Sequence, residues 1–585
     1  MVLVGMATVL VVVGVLLNFP SSGIKTGKST SAGWNAGGGA GAISGAGPGR
    51  VGSGAYNFDE QDYLGPAEPD VEKYRMACPD FTHYSVYPHR PFSTGPMALP
   101  YQRPSIHCRT FASPLVEKII EDFSSRMEDQ DLARIFENAF PNTLDTTVRW
   151  HVDGTEKGAK KNYGGSLYKD SSKWAAPQSF IVTGDINAEW LRDSTNQLAQ
   201  YQILAKRDKK IANLILGAIN TQAEYVIESP YCNAFQPPPP SRLPATGNGQ
   251  DDTVHPNFEP SFVFECKYEL DSLAHFLALT TQYYEHSGST AFLTPRWLYA
   301  LDTVLAVLDE QSKPTFDAET GAYERNEYTF SRTTSAGTET LALDGVGNPL
   351  NDGTGLIRSA FRPSDDATIL GFFIPANAMM SVQLTRTGEM LRGAGKVEIA
   401  QKVLKRGDDL KKAVWDHGVV NHKRYGEVFA FEVDGYGSSI LMDDANIPSL
   451  LALPVLGFVD KSHEVYQNTR KMILEQNGNP YYLQGKGFKG IGGPHIGLEN
   501  AWPMSLLIRA MTSDDDAEIL ENIQLVRNAS RLGLVHESIN VNLLTEYTRS
   551  WFAWANSVFA QTIIDLAQRK PHLIFGPDAE PYRFE

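Results

Sequence analysis

The chain has 585 residues, of which 42% are hydrophobic and 21% are charged, and its formal net charge is −16. This length allows a large core and one to three domains, and the composition is ordinary for a globular protein. The negative charge argues against nucleic acid as a partner, because phosphates require a positive protein face.

The N-terminal residues differ in composition from the rest. Residues 1–24 carry no charged side chain, which predicts a signal anchor or signal peptide over residues 1–20. We therefore expect entry into the secretory pathway, either anchored in an ER or Golgi membrane through residues 1–20 or secreted. Lys25 and Lys28 follow the apolar run and favour a cytoplasmic flank, so its orientation stays open.

Two further segments precede the body of the chain. Residues 21–56 are dominated by Gly, Ala and Ser and predict a disordered stalk, because they cannot bury enough apolar surface. Residues 57–112 are rich in Pro, Tyr and Asp and predict an irregular extension that wraps the core. Residues 113–585 then form one domain.

Helical periodicity dominates that domain, since apolar residues recur at three- and four-residue steps. The predicted helices are Leu115–Phe140, Trp190–Lys206, Lys210–Glu228, Tyr268–His286, Arg296–Glu310, Asn377–Leu391, Lys396–His417, Ile447–Phe458, Ser462–Gln476, Trp502–Met511, Asp516–Leu532 and Trp551–Gln568. Strand-like alternation is confined to short pieces, such as Ser179–Thr183 and Glu427–Val433, which suit hairpins.

Polar and aromatic residues gather in long connections before alternate helices. Six such loops fit six helical hairpins closed in a ring, with the loops lining one pocket. In chain order they are residues 184–194, 262–269, 361–368, 436–446, 492–502 and 535–540 with 548–554. The prediction is an all-α (α/α)6 barrel with short β-hairpin insertions. A helical solenoid is the competing architecture, but no fixed short-period repeat is present.

The loop chemistry suits a carbohydrate. Aromatic faces stack on sugar rings, while Asp, Asn and Arg hydrogen-bond the hydroxyls. Glycoside hydrolysis also needs two carboxyl groups that flank the scissile bond. The candidate carboxyl groups are Asp185, Asp193, Glu265, Asp365, Asp366, Asp443, Asp444, Glu499 and Glu537.

The most distinctive loop is Phe361–Thr368, in which Asp365 and Asp366 stand beside Arg362. Adjacent carboxylates repel each other, so one of them should hold a proton more tightly than usual, as a general acid requires. Taken alone, the pair is better explained as an N-cap, with a second acidic residue in the first turn of the following helix.

Each other candidate also has a structural alternative. Asp443 and Asp444 could cap a helix, Arg192 and Asp193 could form a local ion pair, and Glu537 could be an ordinary solvated acid. His495 could make a structural hydrogen bond or contact a ligand, and His536 is better explained as a loop histidine. Trp551 and Trp554, at i and i+3, fit a core face better than a sugar platform.

Four cysteines, Cys78, Cys108, Cys232 and Cys266, lack metal-type spacing, so no structural metal is predicted. One or two disulfides are possible, and Cys78 with Cys108 could staple the extension. The sequon Asn528-Ala529-Ser530 fits a luminal glycoprotein.

Several motifs in order resemble glycoside hydrolase family 125, and within it the fungal meiotically up-regulated branch with an N-terminal hydrophobic segment. The resemblance covers about residues 115–575. The matching motifs are Glu189-Trp190-Leu191-Arg192-Asp193-Ser194, Phe361-Arg362-Pro363-Ser364-Asp365-Asp366, Gly493-Pro494-His495-Ile496-Gly497, Asn500-Ala501-Trp502-Pro503 and His536-Glu537-Ser538.

That resemblance implies an (α/α)6 barrel and an inverting exo-α-1,6-mannosidase that acts on glycans or mannan without a metal or other cofactor. The implied base is Glu537, and the implied acid is Asp365 or Asp366, with a slight preference for Asp365. The remaining implied contacts to mannose are Arg192, Asp193, Arg362, His495, Asn500 and Trp502. In an inverting enzyme the two carboxyl groups should stand about 6.5–9.5 Å apart.

Two alternatives accompany this hypothesis. One is another inverting α-glycosidase on the same barrel. The other is a catalytically silent glycan-binding protein of the secretory pathway. No protein partner is predicted.

Overall fold

The computed structural model describes residues 78–154 and 176–584. The predicted anchor, the predicted stalk and residues 57–77 of the predicted extension lie outside the described residues. In the part of the chain that is described, no helix is both long enough and apolar enough to cross a membrane.

Twelve helices of nine or more residues and one shorter helix build the body of the described chain. They are α1 Pro114–Arg126, α2 Gln130–Ala139, α3 Leu191–Ala199, α4 Lys209–Glu228, α5 Leu270–Ser287, α6 Pro295–Glu310, α7 Ile374–Gly393, α8 Val397–Gly418, α9 Leu453–Leu456, α10 Glu464–Ile473, α11 Pro503–Met511, α12 Asp516–Ala529 and α13 Ala553–Arg569. Each overlaps a helix predicted from periodicity.

Three of the predicted helices differ clearly from the structure. The segment Trp190–Lys206 forms only α3 and a separate 3-10 turn at Gln202–Leu204. The segment Leu115–Phe140 is divided into α1 and α2, because Asp129 caps a new helix by accepting from the backbone N–H groups of Asp131 and Leu132. The segment Ile447–Phe458 yields only the four-residue α9. Proline at 448 and 454 limits helix formation there, since it lacks an N–H and disfavours the helical conformation in the preceding residue.

The helices alternate between an inner and an outer ring. The inner helices are α3, α5, α7, α9, α11 and α13. Neighbouring inner helices pack together from α3 through α5 and α7 to α9, and α11 packs on α13, which returns to α3. The outer helices, such as α4, α8 and α12, pack behind them. This arrangement is the predicted (α/α)6 barrel, and the fold prediction is confirmed.

Short strands punctuate the loops between the helices. They are β1 Val148–Val152, β2 Gln178–Ile181, β3 Glu189–Trp190, β4 Ala234–Phe235, β5 Asp252–His255, β6 Val263–Glu265, β7 Thr329–Arg332, β8 Phe372–Phe373, β9 Val419–His422, β10 Gly426–Phe429, β11 Glu432–Val433, β12 Ser439–Ile440, β13 Tyr482–Gln484, β14 Lys489–Ile491, β15 Asn500–Ala501 and β16 Ile539–Asn540. All their pairings are antiparallel, and no sheet exceeds three strands in the described residues.

The two rings differ in how their helices begin. Most outer helices are capped by the side chain of the residue just before them, as Asp208 caps α4 and Thr294 caps α6. The exception is α8, whose N-cap Lys396 makes no side-chain capping bond. The long inner helices have no such side-chain cap. Instead, distant segments accept their first N–H groups. The three examples are Leu191 N–H to Asn233 O at 3.2 Å, Leu270 N–H to Ser359 Oγ at 3.0 Å and Ile374 N–H to Phe431 O at 3.0 Å.

Two disulfides, Cys78–Cys108 and Cys232–Cys266, account for all four cysteines. The first lies in the N-terminal extension, as the sequence allowed. The second joins the two ends of the long connection between α4 and α5.

Candidate active site

Three small sheets tie the loops together at one end of the barrel. Strands β3, β4 and β6 join the loops before α3 and α5, strands β8, β11 and β12 join those before α7 and α9, and β15 with β16 joins those before α11 and α13. The six loops that the sequence analysis singles out are therefore held in adjacent pairs. Each pair fixes where the first turns of two inner helices stand.

The paired aspartates lie in a tight turn of the third loop. The N–H of Asp365 bonds to Arg362 O at 2.9 Å, and the N–H of Arg362 bonds to Asp366 O at 2.8 Å. Asp365 has a φ of +66°, a left-handed conformation that is costly for a non-glycine residue. Its side chain is 18% exposed, whereas that of Asp366 is 2% exposed. The turn thus gives adjacent carboxyl groups different surroundings.

The N-cap explanation of this pair does not hold. Helix α7 begins at Ile374, and its N-cap is Phe373, which makes no side-chain capping bond. Neither aspartate therefore caps the helix that follows.

Arg192 is the centre of a buried charge cluster. Its guanidinium lies 2.7 Å from Glu269, 3.3 Å from Asp193, 3.5 Å from Asp365 and 3.8 Å from Asp271. Burial raises the pKa of Asp193 to about 6, with the Arg192 charge acting against it. The Arg192 cation thus faces four carboxyl groups. It is buried, so its contact with Asp193 is not an exposed local ion pair.

His495 reaches the second aspartate from the fifth loop. Its Nδ1 lies 3.6 Å from an Asp366 oxygen, and Ser364 Oγ donates to the other oxygen at 3.1 Å. Burial disfavours the charged imidazole, but the close negative charge of Asp366 outweighs burial and raises the pKa of His495 to about 9. His495 is therefore a cation at neutral pH.

Arg362 anchors the same loop from beneath. Its Nε donates to Glu432 Oε1 at 2.6 Å, and the other oxygen of Glu432 accepts the N–H groups of Ile369 and Leu370 at 3.0 and 2.9 Å. The ion pair of Arg362 with Glu432 fixes both ends of the aspartate loop. Arg362 is 2% exposed.

Glu537 stands on the sixth loop. Thr548 Oγ1 donates to its Oε2 at 2.6 Å, and Arg549 Nε lies 3.3 Å from its Oε1. Arg549 also contacts Asp185 at 2.5 Å. These contacts hold the Glu537 carboxyl in one orientation, so it is not a freely solvated acid.

The two remaining predicted residues, Asn500 and Trp502, lie at different depths. Asn500 lies beside the Glu537 loop, because its amide donates to Ser538 Oγ at 3.0 Å. Trp502 is 2% exposed and packs edge-on against Phe552 with ring centroids 5.8 Å apart, so it belongs to the core beneath the site.

Four other residues have structural roles, although Asp443 does not cap a helix, since the N-cap of α9 makes no side-chain hydrogen bond. Trp551 and Trp554 are buried. His536 stacks on Tyr547 and bonds to Ser550 O at 2.8 Å, and burial lowers its pKa to about 4, so it is a neutral loop histidine. Asp443 accepts from the N–H groups of residues 450 and 451, which order the chain just before α9.

The carboxyl candidates share one electrostatic environment. The charges of Asp366, Glu537 and Asp365 all act on His495, and those of Glu537, Asp185, Asp193 and Asp365 all act on Arg549. Residues from the first, third, fifth and sixth loops therefore converge on a single site. The sequence-predicted residues are brought together, with Trp502 beneath them.

Two buried polar atoms at this site, Arg362 Nη2 and Asp444 Oδ2, have no hydrogen-bonding partner among the described residues. Arg192 Nε and Asp193 Oδ2 face only each other, as an ion pair at 3.3 Å. Unsatisfied buried polar atoms are costly, and the hydroxyl groups of a sugar are suitable partners for both donors and acceptors.

Three further residues at the site are absent from the sequence-based set. Asn233 donates to Asp365 at 3.3 Å and to Glu269 at 3.1 Å, and the Lys267 charge acts on Asp365. Lys267 and Glu269 belong to a loop that the sequence analysis singles out, but only Glu265 of that loop is among its candidates. Asn233 lies in a connection with no distinguishing pattern.

The family comparison is unambiguous. A family model described as metal-independent alpha-mannosidase (GH125) matches residues 129–564. The chain is also 53% identical over 499 residues to the Meiotically up-regulated gene 157 protein of Schizosaccharomyces pombe, covering 85% of this chain and 94% of that relative.

A solved structure agrees with both findings. It is a metal-independent α-mannosidase of Streptococcus pneumoniae in a non-productive complex with α-1,6-mannobiose. The two are 30% identical, the match covers 78% of this chain and 99% of the other, and the TM-score is 0.67. The motifs, the barrel, the converging carboxyl groups and these matches lead to one conclusion: the chain belongs to glycoside hydrolase family 125, the metal-independent α-mannosidases.

Proposed function

We propose that this α-mannosidase is an inverting exo-enzyme that removes terminal α-1,6-linked mannose from glycans or mannan. The observation that carries the proposal is the convergence of Glu537 and the Asp365–Asp366 pair, from two different loops, on His495. Inversion needs a proton donor and a base on separate supports with a water between base and sugar. The pneumococcal relative, bound to α-1,6-mannobiose, supports the linkage.

Glu537 is the proposed general base. Thr548 and Arg549 hold its carboxyl in place, so one oxygen can accept a proton from the attacking water while orientation is preserved. The water oxygen bonds to the anomeric carbon as the glycosidic C–O bond breaks.

Asp365 is the proposed general acid, in preference to Asp366. Its side chain is the more exposed of the two, and its left-handed backbone conformation is of the kind that clusters at functional sites. Asp366 lies 3.6 Å from the cationic His495 and accepts a hydrogen bond from Ser364, so it is the proposed support for the sugar-binding side.

Arg192, Asp193, Arg362 and Asp444 are the proposed partners of the sugar hydroxyls in the terminal-mannose site. Arg362 and Asp444 each have a buried polar atom without a hydrogen-bonding partner among the described residues, and Arg192 Nε and Asp193 Oδ2 face only each other at 3.3 Å. His495 and Asn500 complete the proposed set from the fifth loop. Trp502 supports the site from the core.

We further propose that the protein works in the secretory pathway. The apolar residues 1–20 carry this proposal. The two disulfides support it, because disulfides persist in oxidising compartments. A C-terminal epitope that stays protease-sensitive in intact microsomes would contradict a luminal catalytic body.

Proton NMR of α-1,6-mannobiose during hydrolysis tests the catalytic proposal. We expect β-mannose as the first-formed anomer, since inversion converts the α-linkage. Initial α-mannose would refute inversion, faster release from an α-glucoside would favour another α-glycosidase, and mannobiose binding without product would indicate a silent glycan-binding protein.

Glu537→Gln tests the base in the same assay. We expect turnover to fall by about 10²- to 10⁴-fold, the usual contribution of a general acid or base, with the circular dichroism spectrum unchanged. Glu546→Gln, at an exposed position of the same loop, is the matched control and should keep its activity. Unchanged turnover in Glu537→Gln would refute its assignment as the base.

A further inference from the structure

Glu269 is a fully buried carboxyl group that the mechanism above does not use. It stands at the start of α5 and is 1% exposed. Its Oε2 accepts from Arg192 at 2.7 Å and from Ser272 Oγ at 2.9 Å, and its Oε1 accepts from Asn233 Nδ2 at 3.1 Å. This is a carboxyl group held on every side.

The same two donors also reach Asp365. Asn233 Nδ2 lies 3.3 Å from Asp365 Oδ1, and Arg192 Nη2 lies 3.5 Å from it. One amide nitrogen and one guanidinium therefore hold the Glu269 and Asp365 carboxyl groups side by side. An ionised carboxylate can only accept a hydrogen bond, so a bond between two carboxyl groups requires a proton on one of them.

The surrounding charges favour one proton on this pair. The Arg192 guanidinium faces the pair together with Asp193 and Asp271 and cannot neutralise four carboxylates. Other charged groups act on one or both members of the pair, from β6 and the loops before α5, α11 and α13. They are Glu265, Lys267, His495 and Arg549.

We propose that Glu269 and Asp365 share one proton, and that Glu269 is the positioning residue that keeps this proton available to Asp365 for donation to the leaving oxygen. The inference rests on the proposed role of Asp365 as general acid. The proton passes from Glu269 to Asp365 as Asp365 protonates the glycosidic oxygen, and both carboxyl groups are then anions. Solvent water returns one proton to the pair after the leaving group departs.

The opposite pKa shifts of Glu269 and Asp365 agree with a proton that is stored on Glu269 and used by Asp365. Burial raises the pKa of Glu269 well above its usual range, with the Arg192 charge acting against it. Burial also tends to raise the pKa of Asp365, but the charges of Arg192 and Lys267 outweigh it and lower that pKa. In the free protein the proton therefore lies on Glu269, and Asp365 by itself would be an anion without a proton to give.

Glu269→Gln is the decisive variant. The glutamine amide can accept from Arg192 and donate an N–H to Asp365, but it loses the bond from Asn233 Nδ2 and cannot transfer a proton. The loss of the Asn233 bond affects both substrates alike, so the comparison between substrates isolates proton transfer. Turnover is measured on α-1,6-mannobiose, which needs protonation of its leaving oxygen, and on α-mannosyl fluoride, which does not.

We expect Glu269→Gln to lose about 10- to 10²-fold in turnover of mannobiose at pH 7 while turnover of the fluoride changes by less than about threefold. The alkaline limb of the mannobiose pH profile should move to lower pH, because Asp365 must then hold the proton unaided. Equal losses on both substrates with an unmoved limb would show a structural role and overturn the inference. So would unchanged turnover of both.

Two further variants keep the result interpretable. Asp365→Asn should show the stronger acid-loss pattern, with the fluoride spared. If Asp366→Asn shows that pattern instead, the proposed acid is wrong, whatever Glu269→Gln does. Glu269→Asp keeps a transferable proton and should retain more mannobiose turnover than Glu269→Gln; the reverse order would also overturn the inference. Glu285→Gln, exposed on the same helix, is the matched control.

Discussion

Replacing His495 by asparagine is expected to change how the stability of the protein depends on pH. The imidazole lies 3.6 Å from Asp366, and its pKa is raised from 6.5 to about 9. A group whose pKa is raised on folding contributes stability that is fully present below its unfolded value and is lost as pH rises through its folded value. The contribution of His495 is therefore complete below about pH 6.5 and is lost towards pH 9.

The size of this contribution follows from the same two quantities. Coulomb's law at 3.6 Å with an effective dielectric constant of about 20 gives about 4–5 kcal/mol of attraction. The raised pKa corresponds to about 3 kcal/mol, at about 1.4 kcal/mol for each tenfold change in proton affinity. The second value is the better guide, since it includes the cost of burying the imidazolium.

Thermal unfolding of the wild type and His495→Asn at pH 6 and pH 9.5 measures the effect. About 490 described residues, at about 2.1 cal/mol/K each, give an unfolding entropy of about 1 kcal/mol/K, so about 3 kcal/mol corresponds to about 3 °C in Tm. We expect the wild type to exceed the variant by about this amount at pH 6 and by much less at pH 9.5.

A control at a remote histidine separates this effect from general changes with pH. His83 is exposed and lies outside the site, and His83→Asn should track the wild type at both pH values. A Tm difference between wild type and His495→Asn that is constant, or that grows towards alkaline pH, would refute the assignment of His495 as the cationic partner of Asp366.

Two further predictions concern the frame around the site. Loss of the disulfide in Cys232→Ser/Cys266→Ser should lower the free energy of unfolding by about 4 kcal/mol, the loop-closure value for the sequence separation of 34. Added reductant should therefore lower Tm by more in the wild type than in the variant, which has already lost this disulfide. Gly493→Ala should reduce mannoside turnover, because a Cβ there would stand 2.6 Å from Asp444 Oδ2 and displace that carboxyl group. Gly337→Ala, where nothing lies within 4 Å, is its control, and equal turnover in the two variants would contradict the crowding argument.

The fold could be predicted largely from sequence because helical periodicity is a local property. Amphipathic spacing located α4–α8 within a few residues of their observed ends. It could not reveal how short α9 is, because the apolar residues of 447–458 keep helical spacing while proline at 448 and 454 limits the helix. The division of α1 from α2 depends on one capping aspartate inside an otherwise continuous pattern.

The site could be predicted only where a motif carries it. Asp365, Glu537 and His495 stand in distinctive loops, and the structure brings those loops together. Asn233 and Glu269 could not be selected in this way, because their contacts with Asp365 span 132 and 96 residues of sequence and depend on how loops pack. The roles of the site residues remain predictions until the variants are measured.

The way the inner helices begin has a consequence for cooperativity. An outer helix such as α4 carries its own cap and can form or fray by itself. An inner helix such as α5 depends on Ser359, 89 residues away, for its first bond, so it is complete only when the neighbouring loop is docked. Amide protons in the first turns of the inner helices should therefore exchange with solvent only when whole loops separate. The end of the barrel that holds the chemistry assembles, and comes apart, as one unit.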